Sequence, residues 1–367
     1  MNNISAISHC AGCMACADRC TQRCISFRPD KVGHLYPSVD TTRCTQCGAC
    51  LKVCPEAEPH TPQHEPQRVV AAWRTQPALR NLSSSGGVAS AIAEQVVADG
   101  GVAYGCAFEA PFAFRHVRCS TPAELARLRG SKYVQSDLRG TFRAIRQDLK
   151  NGTEVLFTGT PCQVAAVRKY FPQASGLLTI DLICHGVPPV RLLQESLPRQ
   201  WRQLAQDWNV VFRQNTTYQL TLCQGQLVRY ARPLRTDLFL KNFFTALAYR
   251  SSCHHCRYAC SRRVGDLTLG DFWGLPDAEG AGVSLCLVNT ETGRRMMQRI
   301  AAATHQEERS LQEALAENRQ LSHPMPYSLR ARWFRRIYPL MGMRAATLCA
   351  LPDVMLKNYL AKLIKSS

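Results

Sequence analysis

Residues 10–20 read CAGCMACADRC, and residues 44–56 read CTQCGACLKVCPE. Both stretches have the spacing C-x2-C-x2-C-x3-C, so the second repeats the first. Thiolates are soft ligands that favour iron-sulfur clusters or zinc over hard cations. Structural zinc usually takes two separated C-x2-C pairs, whereas three cysteines at steps of three suit a 4Fe-4S cluster. The repeat therefore predicts two such clusters.

The bacterial two-cluster ferredoxins carry this run, and in them the fourth cysteine of each stretch binds the other cluster. This crossing predicts two ligand sets. The first set contains Cys10, Cys13, Cys16 and Cys54, and the second contains Cys44, Cys47, Cys50 and Cys20. Cys24 is a ninth cysteine nearby, and we expect it to pack as a small buried thiol rather than bind metal.

Length, charge and cysteine count limit the class of protein. The chain has 367 residues, 19 cysteines and a formal net charge of +18. Such a length favours one small metal-bound module and one larger domain. The odd cysteine count and the absence of a signal-peptide pattern predict a protein of the reducing cytoplasm. The sequence contains no apolar run of about 18 residues, so we expect no helix that spans a membrane. Positive charge favours acidic partners, but its dispersion argues against a nucleic-acid module.

Two polar segments of the larger domain are candidate binding sites. Ser84, Ser85, Gly86 and Gly87 form a turn before a helix-like pattern, VASAIAEQVVA. Backbone N–H groups at such a helix start can bind phosphate, although these turns more often only cap a helix. Residues 130–136 read GSKYVQS and combine a cation, hydroxyls and an aromatic ring. A solvent-exposed loop is the alternative for this second segment.

A further group of cysteines is spread along the larger domain. Cys162 and Cys184 each follow a predicted strand, EVLFTG and LLTIDLI, and ligands collect at the carboxyl ends of such strands. Together with a C-x2-C pair they supply four thiolates, enough for a third 4Fe-4S cluster or a zinc ion. The candidate ligands are Cys162, Cys184, Cys253 and Cys256, with Cys260, His254 and His255 as alternatives. We expect the remaining cysteines to lie in the core: Cys106, Cys119, Cys223, Cys286 and Cys349.

The last two candidate features lie towards the C-terminus. Asp271 belongs to the sequence GDFWG, which follows a predicted strand, and its aromatic neighbours either close the core or line a planar cofactor. From Arg330 onwards, basic and apolar residues alternate in a pattern typical of an amphipathic helix. Such a helix packs on its own domain, or it contacts an anionic membrane surface or a partner protein.

The order of these motifs resembles one known family. The ferredoxin run, SSSGGVASA, RGSKYVQS, GTPCQVAAV, LICHGVP, CHHCRYA and GDFWG, over roughly residues 8–290, resemble the β-subunit family of coenzyme F420 hydrogenases and dehydrogenases. The resemblance implies an iron-sulfur flavoprotein that binds FAD and exchanges electrons with a two-electron acceptor. By position, it implies FAD contacts from Ser84, Ser85, Gly86, Gly87, Lys132, Tyr133, Gln135, Ser136 and Asp271. It also implies that Cys162, Cys184, Cys253 and Cys256 hold an inner cluster.

These observations predict an α+β fold with a two-cluster ferredoxin module, a larger mixed α/β flavin-binding domain and a basic C-terminal helical tail. The predicted divisions are 1–58 for the ferredoxin module, 59–70 for a proline-rich linker, 71–329 for the flavin and inner-cluster domain, and 330–367 for the tail. No catalytic acid or base is predicted.

The predicted function is that of an oxidoreductase that relays electrons between 4Fe-4S clusters and a small two-electron substrate through FAD. The alternative is a non-catalytic electron-transfer subunit that serves a partner enzyme. The expected protein partner is an electron donor or acceptor, such as ferredoxin or another oxidoreductase subunit. Chlorophyll-pathway reductases look similar, so the resemblance does not identify the substrate.

Overall fold

The N-terminal module is built from two short helices and one hairpin. The computed structural model describes residues 2–214, 216–275 and 282–353. In the module, helices α1 (Ala15–Arg19) and α2 (Ala49–Lys52) flank the antiparallel strands β1 (Ile25–Pro29) and β2 (Leu35–Val39). Both helices start after a residue with positive φ, Met14 at 63° and Gly48 at 71°. The sequence repeat is therefore also a repeat of backbone conformation.

The larger domain begins with strand β3 and continues to the last described helix. Its strands are β3 (Arg68–Arg74), β4 (Val102–Glu109), β5 (Ala113–Cys119), β6 (Val155–Gly159), β7 (Leu177–Leu182), β8 (Trp208–Gln214), β9 (Thr217–Gln224), β10 (Leu227–Pro233), β11 (Leu267–Asp271), β12 (Ser284–Val288) and β13 (Thr304–Arg309). Its α-helices are α3 (Pro77–Asn81), α4 (Val88–Ala98), α5 (Pro122–Leu125), α6 (Thr141–Lys150), α7 (Pro161–Tyr170), α8 (Val190–Ser196), α9 (Leu238–Phe244), α10 (Glu291–Arg299), α11 (Leu311–Glu317) and α12 (Leu329–Ala350). Short 3-10 turns lie at Ile4–Ala6, Ala126–Leu128, Arg199–Trp201, Ser251–His255, Ala301–Ala303 and Arg319–Leu321.

Eight strands form one mixed sheet in the order β13-β3-β12-β11-β7-β6-β4-β5. The four central strands β11, β7, β6 and β4 are parallel, and the outer pairs are antiparallel. Apolar residues of α4 and α10 pack on one face, and those of α6 and α7 pack on the other. Met14 and Ala15 of the N-terminal module join this second core, so the module sits against the α6–α7 face.

A second, three-stranded sheet has the order β10-β9-β8. Its inner face packs with α8, α9 and α12 in a separate core that contains Phe212, Leu220, Phe239 and Phe334. Helix α12 is therefore part of the larger domain as far as residue 350, although we predicted a tail from residue 330. Residues 354–367 of that predicted tail lie outside the described residues.

The predicted fold class is confirmed: a ferredoxin-type module precedes a mixed α/β domain. In the predicted linker 59–70, the backbones of His64 and Arg263 are hydrogen-bonded at 2.7 and 2.8 Å, and β3 already begins at Arg68. Of the cysteines expected in the core, Cys119 and Cys286 are buried. Cys349 is exposed on α12, so the expectation was wrong for Cys349. No helix in the described ranges has the length and apolar character needed to cross a membrane.

Candidate functional site

The structure brings the first predicted ligand set together. Burial, and then the neighbouring thiols of Cys54, Cys16 and Cys10, raise the pKa of Cys13. The backbone of this loop turns towards the sulfur atoms, since the N–H of Gly12 lies 3.4 Å from Cys10 Sγ. Gly12 has a φ of 72°, a conformation that side chains other than glycine rarely adopt. The spacing of the cysteines therefore produces a loop that wraps a common centre.

The second predicted set lines a small cavity that is partly open to solvent. The lining cysteines are Cys20, Cys24, Cys44, Cys47 and Cys50. This set is more accessible than the first, because Cys47 is exposed while Cys13, Cys16 and Cys54 are buried. The fifth thiol is close to a predicted ligand, since Cys24 Sγ lies 3.4 Å from Cys20 Sγ. Cys24 is buried, as predicted, but it also reaches the cavity.

The third predicted set is assembled at the ends of the neighbouring parallel strands β6 and β7. Cys162 lies in the first turn of α7, directly after β6, and Cys184 follows β7 by two residues. Burial first, and then Cys256, Cys184 and Cys253, raise the pKa of Cys162. All four thiols are thus close in space, and each is partly buried.

A buried ion pair holds the loop with Cys253 and Cys256 against the end of β7. The Arg263 Nη2 lies 2.6 Å from Asp181 Oδ1, and both side chains are almost completely buried. The same guanidinium donates to the carbonyl oxygens of Tyr258 at 2.8 Å and Cys260 at 3.2 Å. Asp181 also accepts the backbone N–H of Gly265 at 2.7 Å. The pair therefore fixes two loop segments relative to the sheet.

The alternative inner ligands have other partners. The thiol of Cys260 is within hydrogen-bond distance of Gln63 Oε1, at 3.2 Å, and of two backbone carbonyl oxygens. His254 Nδ1 lies 3.0 Å from the carbonyl oxygen of Met325, and the ring of His255 lies beside that of His9, with 5.4 Å between centroids. The contacts of its thiol disfavour Cys260 as a ligand, whereas the contact of His254 uses only Nδ1 and leaves its buried Nε2, which has no hydrogen-bond partner among the described residues, as an alternative ligand atom.

The chemistry of these thiols fits a positively charged inorganic core. Burial raises the pKa of Cys54 and of Cys256 to about 11, with Cys10 and Cys253 respectively adding to the effect. Adjacent thiolates therefore repel one another and are poorly solvated unless a cationic centre binds them. In the described ranges, no three His, Cys, Asp or Glu side chains are placed to hold a single ion.

The three sets lie in a row. Cys50 of the second set acts on the pKa of Cys16 in the first, after burial and the nearer thiols. At the other end, the hydroxyl of Tyr258 donates to the carbonyl oxygen of Pro55, at 3.2 Å, next to Cys54. Tyr258 itself follows Cys256 by two residues. The first set is therefore between the accessible second set and the inner set.

Two predicted cofactor segments meet at the start of α4. Ser84 Oγ accepts the backbone N–H of Ser131 at 3.0 Å, which joins the SSSGG turn to the GSKYVQS segment. Gly87 precedes α4 with a φ of 84°, and a Cβ at Gly86 would lie 2.3 Å from the carbonyl oxygen of Ala72. Both positions therefore require glycine. Ser85 Oγ donates to the carbonyl oxygen of Val283 at 2.9 Å.

The GSKYVQS segment runs from α4 towards the cysteines. Lys132 donates to three backbone carbonyl oxygens, among them that of Arg129 at 2.6 Å, and burial lowers its pKa to about 8. Gln135 donates to the carbonyl oxygens of Ala11 and Gly12, and Ser136 accepts from Gln163 at 2.9 Å. Lys132, Gln135 and Ser136 thus have protein partners, and their predicted contact with FAD stays a prediction.

Tyr133 and Asp271 lie in a cluster of aromatic and charged side chains that includes Arg213. The ring of Tyr133 stacks on Phe243 at 4.4 Å, and Asp271 Oδ2 lies 2.5 Å from Arg213 Nη1. The Arg213 guanidinium also lies over the ring of Trp273, at 5.3 Å. The cluster therefore combines packed aromatic rings with one ion pair, and the predicted contacts of Tyr133 and Asp271 with FAD stay predictions.

Comparison with known families agrees with this arrangement. Two profiles described as coenzyme F420 hydrogenase/dehydrogenase, beta subunit, match the chain, the N-terminal one over residues 69–141 and the C-terminal one over residues 152–314. Together these two profiles cover more than half of the chain. The chain belongs to this family. A third profile, the 4Fe-4S dicluster domain, matches residues 9–57. The protein is therefore an iron-sulfur member of a family of electron-transferring oxidoreductases.

Among solved structures, a chain of the F420-reducing NiFe hydrogenase complex from Methanosarcina barkeri is similar, with 18% sequence identity and a TM-score of 0.49. The match covers 70% of the present chain and 89% of the hydrogenase chain. No protein with a curated description matches significantly.

Sequence reasoning missed several residues of the β-subunit site. The sequence analysis assigned no candidate site residue to residues 190–250, yet Arg213, Phe243 and Arg250 all come from that range. Arg213 lies on strand β8 of the smaller sheet and reaches Asp271 at the end of β11. A single Arg in a strand-like pattern gives no signal of such a contact, because its partner is 58 residues away in the chain. His185, next to Cys184, could have been found from its position alone.

Proposed function

We propose that this β-subunit family member is an iron-sulfur flavoprotein that relays electrons through three 4Fe-4S clusters to FAD and a two-electron substrate. The observation that carries the proposal is the row of three four-cysteine sets, which starts at an exposed thiol and ends at the set of Cys162, Cys184, Cys253 and Cys256. Electron flow in the opposite direction uses the same row.

The cysteines have separate roles in this proposal. The accessible set with Cys47 exchanges electrons with a protein partner, because among the described residues it contains the most exposed thiol of the three sets. The set with Cys13 passes them inwards, and the set with Cys162 delivers them to the flavin. Burial keeps water from the inner centres, and this strengthens the influence of nearby charges on each cluster.

The flavin would lie along the GSKYVQS segment. The backbone N–H groups at the start of α4, next to Ser84 and Gly87, suit the pyrophosphate. Tyr133 and Arg213 suit the ring system, because one offers a flat face and the other a fixed positive charge. When bound, FAD exchanges two electrons with the substrate and single electrons with the clusters. The protein residues orient the group and keep it beside Cys184.

Cofactor content tests this proposal. The chain, purified without oxygen, should contain about twelve iron atoms if three 4Fe-4S clusters are present. It should also release FAD on acid denaturation. A preparation that is full of iron but contains no flavin would refute the flavin relay. Zinc in place of iron, with no absorbance in the visible range, would refute the clusters as well.

An exposed face of α12 favours the second candidate function, an electron-transfer subunit without its own substrate. Trp333 is 59% exposed and Leu340 is 84% exposed, and Arg332 and Arg336 are exposed on the same helix. Apolar and basic groups together suit an acidic protein partner or a peripheral membrane contact.

We place this protein in the cytoplasm, where thiols remain reduced.

Surface substitutions separate the two candidate functions. Deleting α12 would not, because Phe334 and Tyr338 belong to the core. Trp333→Ser with Leu340→Ser should slow reduction of the clusters by reduced ferredoxin if this face binds the partner. Val228→Ser, at a site that is 62% exposed on β10, is the matched control and should change nothing. Substrate turnover by the isolated chain would exclude the purely electron-transferring subunit.

A further inference from the structure

A fully buried arginine lies between the N-terminal module and the larger domain. The guanidinium of Arg250 donates to the carbonyl oxygen of Cys10 at 2.6 Å and to that of Leu35 at 2.7 Å. It also donates to Gln135 Oε1 at 3.1 Å and lies 4.1 Å from the ring centre of Tyr36. All of these partners are uncharged, so they satisfy its N–H groups but do not neutralise its charge.

Arg250 has no carboxylate partner among the described residues, since no Asp or Glu oxygen there lies within 4.0 Å of its nitrogens. The contrast with Arg263 is direct, because that equally buried arginine is paired with Asp181 at 2.6 Å. A buried charge without a counter-charge is strongly unfavourable. The anion that balances Arg250 must therefore come from another group at the same place.

The predicted cluster ligands supply that negative charge. Arg250 Nη2 lies 3.5 Å from Cys10 Sγ, a member of the first set. The carbonyl oxygen of Arg250 accepts the N–H of Cys253 at 2.9 Å, so the same residue also adjoins the inner set. A cubane with four thiolates carries a net negative charge of roughly −2.

We infer that Arg250 is a positioning residue for electron transfer, which stabilises the reduced forms of the two clusters beside it, those of Cys10 and Cys253. The inference rests on the proposed clusters. Reduction adds one electron to a cluster and makes its charge more negative by one unit, while Arg250 keeps its positive charge. In a site without water this charge favours the reduced form and raises the reduction potential of both clusters.

A redox titration of the oxygen-free protein tests the inference. Dithionite is the reductant, and electron paramagnetic resonance follows the reduced clusters. In Arg250→Met, we expect the ratio of reduced to oxidised cluster in the Cys10 set to fall at least tenfold at the wild-type midpoint. That change corresponds to about 59 mV for a one-electron centre. Arg250→Lys keeps the charge and should restore most of the ratio.

Lys169→Met is the matched control. Lys169 Nζ also contacts this module, at 2.8 Å from the carbonyl oxygen of Cys54, but the side chain is half-buried. Water screens such a charge, so its removal should shift the ratio less than Arg250→Met does. Equal shifts in Arg250→Met and Lys169→Met would overturn the inference, as would an unchanged ratio in Arg250→Met with full iron content.

Iron content separates the remaining outcomes. Loss of clusters in Arg250→Met but not in Arg250→Lys supports a need for the charge. Loss in both variants, or an equal potential shift in both, shows a structural role instead and refutes the inference. If the wild-type protein itself contains no 4Fe-4S clusters, the proposed function fails first. Normal wild-type clusters with unaltered variants refute only the role of Arg250.

Discussion

The Arg213–Asp271 pair gives a prediction whose size follows from burial. The Arg213 side chain is 2% exposed and the Asp271 side chain is 21% exposed, with 2.5 Å between their charged atoms. Asp271→Asn leaves a buried cation without its carboxylate, which costs about 3–5 kcal/mol. Arg213→Met leaves a carboxylate that water can partly reach, which costs about 1–2 kcal/mol. The two substitutions should therefore be clearly unequal.

Thermal unfolding of the oxygen-free holoprotein measures the difference. At about 2 °C per kcal/mol, Asp271→Asn should lower the midpoint by roughly 6–10 °C. Adding Arg213→Met should recover part of that loss, because the buried cation is then removed as well. All variants are compared at one heating rate, since loss of clusters makes unfolding irreversible.

An exposed ion pair is the control for this cycle. Arg294 and Glu291 are 39% and 50% exposed and lie 2.6 Å apart. Arg294→Met should change stability by less than about 1 kcal/mol. The reasoning is refuted if Asp271→Asn behaves like this control. It is equally refuted if the double variant is less stable than Asp271→Asn alone, because the burial of an unpaired charge would then not be the cause.

Three further predictions concern the cysteines and one buried acid. Cys256→Ser should remove about four of the iron atoms, whereas Cys260→Ser, the nearby control, should remove none; equal iron in both would contradict the inner ligand set. Cys20→Ser should keep its cluster, because the Cys24 thiol, 3.4 Å away, can replace the lost ligand. Only the double variant Cys20→Ser/Cys24→Ser should lose that cluster, as measured by iron assays and electron paramagnetic resonance. Burial raises the pKa of Asp237 to about 6, so its charge is unfavourable in the folded protein above that pH. Asp237→Asn should therefore increase the free energy of unfolding at pH 7.5 by up to about 3 kcal/mol and raise the midpoint of thermal unfolding. Between pH 6 and pH 4 the folded protein binds the proton more readily than the unfolded chain, so the advantage of the variant should shrink; an advantage that grows on acidification would show that Asp237 is not the cause.

Local elements of the fold could be predicted from local patterns. The helix of residues 88–98 follows from apolar residues at helical spacing, and the strands before Cys162 and Cys184 follow from short apolar runs. These patterns depend on neighbours in the chain, so the sequence alone contains them. The pattern from residue 330 left open whether its helix packs on its own domain or contacts a membrane surface or a partner protein. Its helix is present, but Phe334 is fully buried against the smaller sheet, and amphipathic spacing does not reveal which surface covers an apolar face.

The candidate site shows the same division between local and distant information. The cysteine repeat predicts the first two sets, and in the structure the thiols of each set lie near one another, while their role as cluster ligands stays a prediction. By contrast, no sequence pattern indicated that Gln135 contacts the backbone of Ala11 and Gly12, and its contact with FAD stays a prediction. The glutamine is 123 residues from Gly12, and no spacing rule relates positions so far apart.

The sequence by itself determined the metal chemistry, because eight cysteines at fixed short intervals form loops that can wrap a cluster before any domain packs. Only the tertiary structure decided the order of the three cysteine sets and the environment between them. Arg250 shows why. Its charge is buried by Cys10 and Leu35, which are more than 200 residues away in the chain, and it has no carboxylate partner among the described residues. Desolvation depends on everything that surrounds a group, so it arises only when distant parts of the chain meet.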